Sequence, residues 1–195
     1  MVTVVQKSKT SGSVENIPKP NRHLKGHRRV GVFWGRFNPP HKGHMKVIRR
    51  LKKQCDLIVA VGSSEHKNEQ TNPFSGVERK QMIESYLREL KMGVVRVVTL
   101  SDGKSFKWAI GNMMKRCKPD VIFLSSDKSS LARMAKKRVK VILFERTGRV
   151  SSTLIRDYMA AGDERWKRLT GASIVELIEK FDGPKRIRKA YGLIA

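Results

Sequence analysis

Val30-Gly31-Val32-Phe33-Trp34-Gly35-Arg36-Phe37-Asn38-Pro39-Pro40-His41-Lys42-Gly43-His44 joins an apolar run to a turn rich in Gly and Pro, then to a segment, Met45 to Leu51, with helical patterning. The apolar run reads as a buried strand. The loop after it delivers His41 and His44 to a helix start. A helix amino terminus offers free N–H donors and the positive end of a dipole, which suits phosphate. Histidines there can donate to phosphate oxygens and stabilise charge building up at phosphorus, and Gly43 permits close approach of backbone or ligand. Alone, H-x-G-H also reads as a helix start with two surface histidines. Two histidines three apart could ligate a metal, but no third ligand is nearby and no carboxylate partner is obvious, so no metal site is assigned.

Working outward, strand-like runs at residues 30–34, 57–61, 94–100, 121–124 and 139–144 alternate with amphipathic segments at 42–54, 76–91, 104–117 and 129–137. In the second of these, Met82, Ile83, Tyr86, Leu87 and Leu90 recur at helical spacing, one buried stripe. The alternation predicts an α/β fold: a Rossmann-like, doubly wound parallel sheet of five strands with helices on both faces. Two more helices, at 152–161 and 173–181, are appended at the carboxyl end, with a short turn at 163–169. Open parallel sheets bind ligands beyond the carboxyl ends of their strands. The loops at 35–44, 62–74, 101–103, 124–128 and 145–152 are therefore expected to face one crevice.

The 195 residues, 39% hydrophobic, suffice for one domain with a full core. Lys and Arg number 42 against 17 Asp and Glu, a formal net charge of +25, which favours polyanionic partners, nucleic acid among them. Residues 1–29 read as a basic, disordered arm, with Lys7, Lys9, Lys19, Arg22, Lys25, Arg28 and Arg29 against Glu15 alone. Residues 30–195 form the folded domain and are basic in their own right. Cys55 and Cys117 lack metal-type spacing and read as buried structural thiols in a reducing cytoplasm. No apolar run approaches a membrane span, and no secretory signal is evident.

A second motif, Val150-Ser151-Ser152-Thr153-Leu154-Ile155-Arg156, sets three hydroxyls before a helix whose first turn ends in Arg156. One hydroxyl could simply be an N-cap. Consecutive hydroxyl and N–H donors beside a guanidinium also make a polyphosphate site.

The two motifs together resemble the nucleotidyltransferase superfamily marked by an (H/T)-x-G-H loop and an I-S-S-T-x-x-R-type loop. More closely, the chain looks like the archaeal-type nicotinamide mononucleotide (NMN) adenylyltransferases. Gly62-Ser63-Ser64, Asn72-Pro73-Phe74-Ser75-Gly76-Val77-Glu78-Arg79, Trp108, Val175-Glu176-Leu177-Ile178 and Gly183-Pro184-Lys185-Arg186 match further segments of that family. The resemblance implies adenylyl transfer from ATP to NMN, giving NAD and pyrophosphate, with Mg2+ bridging phosphate oxygens. It implies His41, His44 and Arg156 as catalytic residues, and Gly35, Arg36, Phe37, Gly43, Ser151, Ser152 and Thr153 as further ATP contacts. Trp108 would stack the nicotinamide, although Phe106 and Ile110 keep a core position open for it. Asp102 and Lys67 would contact the mononucleotide. Related proteins are often multimers, so a homo-oligomer is admitted.

The sequence also departs from that pattern. Gln70-Thr71 stands where a basic residue often precedes N/D-P-F, and Leu124-Ser125-Ser126-Asp127-Lys128 replaces a Gly-Asn-bearing adenine loop. Two alternatives therefore accompany the NMN reading. One is the same adenylyl or cytidylyl transfer to phosphopantetheine, FMN or a polar-head phosphate. The other is a nucleic-acid-binding protein on this scaffold, which would need stacking platforms or a clustered basic face.

Overall fold

The computed structural model describes residues 28–145 and 148–194. All but the last two residues of the expected basic arm lie outside them. Five parallel strands, β1 (Val30–Gly35), β2 (Asp56–Val61), β3 (Arg96–Thr99), β4 (Val121–Ser125) and β5 (Lys140–Phe144), form one sheet in the order β3-β2-β1-β4-β5. The chain winds outward from β1 in one direction, then returns past it and winds the other way. The point of reversal lies between β1 and β4, where doubly wound sheets open a crevice.

The crossovers are helical: α1 (Lys42–Lys52), α2 (Gly76–Glu89), α3 (Phe106–Cys117) and α4 (Ser129–Ala135). Successive strand residues point to opposite faces, so Phe33, Val59 and Phe123 join one core with α1 and α2, whereas Val32, Ile58 and Ile122 join another with α3 and α4. Burial on both faces explains why β1 reads as a continuous apolar run rather than an alternating one. After β5 come α5 (Ser152–Ala160), a 3-10 turn (Glu164–Leu169), α6 (Ala172–Lys180) and α7 (Gly183–Ala190). These pack on the α1/α2 face through Ile155, Trp166, Ile174, Ile178 and Ile187.

Most element ends shift by one or two residues from the sequence expectation, and one helix is additional. β3 starts at Arg96 rather than 94, because its pairing with β2 begins there and Val94 is 96% exposed beyond it. Helix α7 was not foreseen: Ile187 is its one buried apolar side chain among Lys185, Arg186, Arg188 and Lys189, too sparse for a periodic signal.

Cys55 and Cys117 are free and buried. Burial, partly offset by Arg28, pushes the Cys55 thiol up to about 11, and burial also raises Cys117. The thiolate is the reacting species. The native protein should therefore show no thiol titratable by a disulfide reagent near pH 8 until denaturant is added. A fast native equivalent would contradict this.

Candidate active site

The loop after β1 has few backbone N–H groups of its own to work with, since Pro39 and Pro40 have none, and its carbonyls are held by side chains from distant elements. Arg79 Nη1 donates to Arg36 O at 2.6 Å, and Arg156 Nη1 donates to Asn38 O at 2.8 Å. Ser152 Oγ donates to Pro39 O at 2.9 Å, and Thr170 Oγ1 to Pro40 O at 3.0 Å. Asn38, itself 2% exposed, exchanges bonds with the Phe74 backbone, tying this loop to the one after β2. Phe37 sits at φ 53°, a conformation that costs a non-glycine residue roughly 1–3 kcal/mol and persists only where surroundings hold it. Its ring is held edge-on against Phe33 at 5.2 Å and His44 at 4.8 Å.

His41 and His44 form the N-terminal capping box of α1, with imidazoles in the places usually taken by a hydroxyl and a carboxylate. Gly43 N donates to His41 Nδ1 at 3.1 Å, and His41 N donates to His44 Nδ1 at 3.2 Å. An Nδ1 that accepts a backbone N–H carries no proton, so both neutral rings hold theirs on Nε2. The backbone thereby selects the tautomer and leaves each Nε2 a donor. The rings stack with centroids 3.7 Å apart. Gly43 is required here: a Cβ would lie 2.9 Å from His41 Cε1.

Across the crevice, Ser151 caps α5 by accepting the Leu154 N–H at 3.0 Å. The first N–H groups of that helix lack intrahelical acceptors. Arg156 is 6% exposed, donates to Asn38 O and Thr153 Oγ1, and its buried Nε has no acceptor among the described residues. Both motifs line one cavity at the sheet's point of reversal, with an empty volume of about 910 Å³ open to solvent. Gly35, Arg36, Phe37, His41, Gly43, His44, Ser151, Ser152, Thr153 and Arg156 all border it, together with Thr71, Ser125, Lys128 and Glu145. Two helix amino termini, several hydroxyls and two guanidinium groups against one rim carboxylate make a cavity suited to a polyanion.

Trp108, Asp102 and Lys67 do not border this cavity. The loop after β3 stands two strand spacings from β1, roughly 10 Å away, and the residues lining this cavity come from the other four strand-end loops and the helices that follow them. Asp102 latches the β2 and β3 loops instead, accepting from Ser63 N at 3.1 Å and Ser63 Oγ at 2.6 Å. Glu65 Oε1 accepts from Ser101 Oγ and from the Asp102 and Gly103 N–H groups, shaping the turn before α3. Trp108 is 49% exposed beside Phe106 at 54%, which excludes the core position for its ring. Its indole lies over Gly103, where φ is 57° and a Cβ would come within 2.3 Å of the ring. Lys67 is exposed. The sequence reading gave no role to Asn38, Arg79 or Thr170. Asn38 and Arg79 stood inside quoted motifs, while Thr170 carried no signal.

The loop after β2 is also fastened from the carboxyl end. Arg186 donates to Pro73 O at 2.8 Å, Asn68 Oδ1 at 3.0 Å and Glu78 Oε1 at 2.6 Å. Glu78 feels burial that would raise its carboxyl, but Arg186 and the Ser75 N–H outweigh it and hold the group below its ordinary value. A lowered carboxyl contributes stability above the unfolded-state value and loses it as pH falls through the folded one. The melting temperature of Glu78→Gln, which keeps the α2 cap, should thus trail the parent at neutral pH. The gap should close below about pH 4. A gap independent of pH would refute the ion pair's contribution.

Comparison with known proteins agrees with this geometry. The sequence profile of the cytidylyltransferase-like family matches residues 32–158. The nicotinamide-nucleotide adenylyltransferase of Pyrobaculum neutrophilum is 33% identical over 165 residues, 82% of this chain and 92% of that relative. That of Methanosarcina barkeri is 32% identical, over 80% and 91% respectively. Among solved structures, a bifunctional NMN adenylyltransferase/ADP ribose pyrophosphatase from Francisella tularensis superposes with a TM-score of 0.64 at 25% identity, covering 84% of this chain and 52% of that one. Half-site motifs, cavity and sequence relatives converge, and the chain belongs to the cytidylyltransferase-like family, among the archaeal nicotinamide-nucleotide adenylyltransferases.

Proposed function

We propose that the protein transfers the adenylyl group of ATP to the phosphate of NMN, forming NAD and pyrophosphate. The observation that carries this reading is the shared cavity of the His41–His44 capping box and the Ser151–Arg156 helix start, in a chain whose sequence relatives bear that enzyme's name.

An oxygen of the NMN phosphate attacks the α-phosphorus of ATP in line, and the bond from that phosphorus to the bridging oxygen of the leaving pyrophosphate breaks. The Nε2–H groups of His41 and His44 donate to the α-phosphoryl oxygens, where negative charge concentrates. Such preorganised donors are worth about 10²–10³ in rate each. The α5 amino terminus, Thr153 and Arg156 take the β- and γ-phosphates. Arg36, exposed on the cavity rim, neutralises phosphate charge at the entrance. Mg2+ would enter with ATP as part of the substrate and would neutralise phosphate charge. Trp108, Asp102 and Lys67 serve the mononucleotide, Trp108 offering the exposed indole face and Asp102 its ribose or amide contact. Two free buried thiols support a reducing compartment, the cytoplasm. No helix among the described residues is long and apolar enough to cross a membrane.

The test is pyrophosphate release from Mg2+-ATP with NMN, nicotinate mononucleotide, phosphopantetheine and FMN offered separately. NMN should turn over. Silence with NMN, where another acceptor reacts, would reassign the substrate.

A further inference from the structure

The pairing of β2 with β3 ends at Val61 and Thr99. One more backbone step follows, Leu100 N donating to Val61 O at 2.7 Å and Ser64 N to Leu100 O at 3.2 Å. Beyond it the two loops are clasped by two carboxylates, one from each. Glu65, on the β2 side, reaches across: its Oε1 accepts from Ser101 Oγ at 3.0 Å, Asp102 N at 2.9 Å and Gly103 N at 3.2 Å. Asp102, on the β3 side, reaches back to Ser63 N and Oγ. Burial alone would raise the Glu65 carboxyl, but its own N–H and these three donors outweigh it and hold the group below its ordinary value. Glu65 is therefore an anion at neutral pH, and hydrogen bonds to an ionised acceptor are roughly twice as strong as neutral ones.

Gly103 carries this clasp to Trp108. Its φ of 57° turns the chain beneath the indole, so closely that a Cβ would lie 2.3 Å from the ring. Ser105 Oγ, the cap of α3, accepts the Trp108 N–H at 3.2 Å. The cap fixes the backbone of Trp108, and the turn at residues 101–103 supports its ring. The ring is about half exposed, which leaves indole surface away from Gly103 open to a planar partner. None of Ser63, Glu65, Ser101, Asp102, Gly103 and Trp108 lines the cavity of the two phosphate motifs.

We infer that Glu65 is a positioning residue for the acceptor substrate: through its three donors it fixes the turn at 101–103 and thereby the plane of the Trp108 indole on which the nicotinamide ring stacks, an assignment that rests on the proposed NMN reaction. Glu65 acts through Gly103 and Trp108, not on the reacting phosphorus. Its loss should loosen one substrate's site and leave the other's intact. A role in stability alone would show in the melting temperature and in both substrates equally.

The experiment varies NMN at saturating Mg2+-ATP, then ATP at saturating NMN, with the full chain. Glu65→Ala should raise KM for NMN about tenfold, with KM for ATP and kcat within about twofold of the parent and the melting temperature within about 2 °C. Glu65→Gln keeps an oxygen acceptor at the same reach and should bring KM for NMN back to within about threefold of the parent. A second readout needs no substrate. Of the three tryptophans, Trp34 and Trp166 are buried and Trp108 is exposed, so acrylamide quenching of the native fluorescence reports on its indole. The quenching constant should rise in Glu65→Ala and return in Glu65→Gln. An unchanged KM for NMN, an equal rise in both KM values, an unchanged quenching constant, or a Glu65→Gln protein as impaired as Glu65→Ala would overturn the assignment. Failure of the NMN reading looks different, since the parent itself would then not turn over NMN. In that case the quenching comparison still decides whether Glu65 sets the indole.

Discussion

His44→Gln should lower kcat for pyrophosphate release by about 10²–10³ while shifting the melting temperature by no more than about 2 °C. Glutamine is an established N3 partner in a capping box, so its side-chain oxygen can accept the His41 N–H now taken by His44 Nδ1 at 3.2 Å. What it cannot supply is the ring that presents Nε2–H to a phosphoryl oxygen. The substitution thus separates the two roles the residue carries, cap and charge stabiliser. His44→Ala removes both, and should add a loss of about 1 kcal/mol, or roughly 2–4 °C, to the same fall in rate. A His44→Gln protein that kept kcat within about threefold of the parent would leave the histidine a capping residue and nothing more.

The histidines were conspicuous in the sequence because their chemistry and spacing are local. So was β1, since a strand buried on both faces has to be apolar throughout. Local information also located the α5 hydroxyls and both ends of the cavity. It failed where a residue's function depends on which distant atoms the fold brings to it. Arg79 reads as an ordinary charge on an amphipathic helix, yet three of its four acceptors lie 16, 17 and 43 residues away. Thr170 reaches across 130 residues to Pro40 O. Trp108 had two readings from sequence, platform or core, and its 49% exposure removes the second. The lining of the cavity follows the topology. Strand-end loops are equivalent in a list of strands, but the order β3-β2-β1-β4-β5 puts the β3 loop at the sheet edge.

Arg79→Met should destabilise the domain by about 3–5 kcal/mol, lowering the melting temperature by roughly 6–20 °C. The guanidinium is fully buried. Burial pulls its pKa down to about 10, with Asp102 the largest opposing influence, so it remains charged at neutral pH. Rather than pairing directly with a carboxylate, it donates to four carbonyls: Ser75 O at 3.1 Å, Arg36 O at 2.6 Å, Gly62 O at 2.8 Å and Ser63 O at 2.7 Å. These belong to the loops at the carboxyl ends of β1 and β2 and to the start of α2. Methionine fills a similar space but takes the side-chain donor from Arg36 O and Gly62 O, at about 1–3 kcal/mol each where water cannot reach, while Ser75 O keeps the residue-79 N–H and Ser63 O keeps the His66 N–H. Arg79→Lys tests the geometry, since a single ammonium has the charge but not the planar fork that spans both loops. It should recover part of the stability and little of the turnover, because the Arg36 carbonyl anchors the strand-end loop that leads to His41. If Arg79→Lys melted within about 2 °C of the parent and turned over normally, a buried positive charge alone would be enough, and the fork across the two loops would have no part in shaping the site.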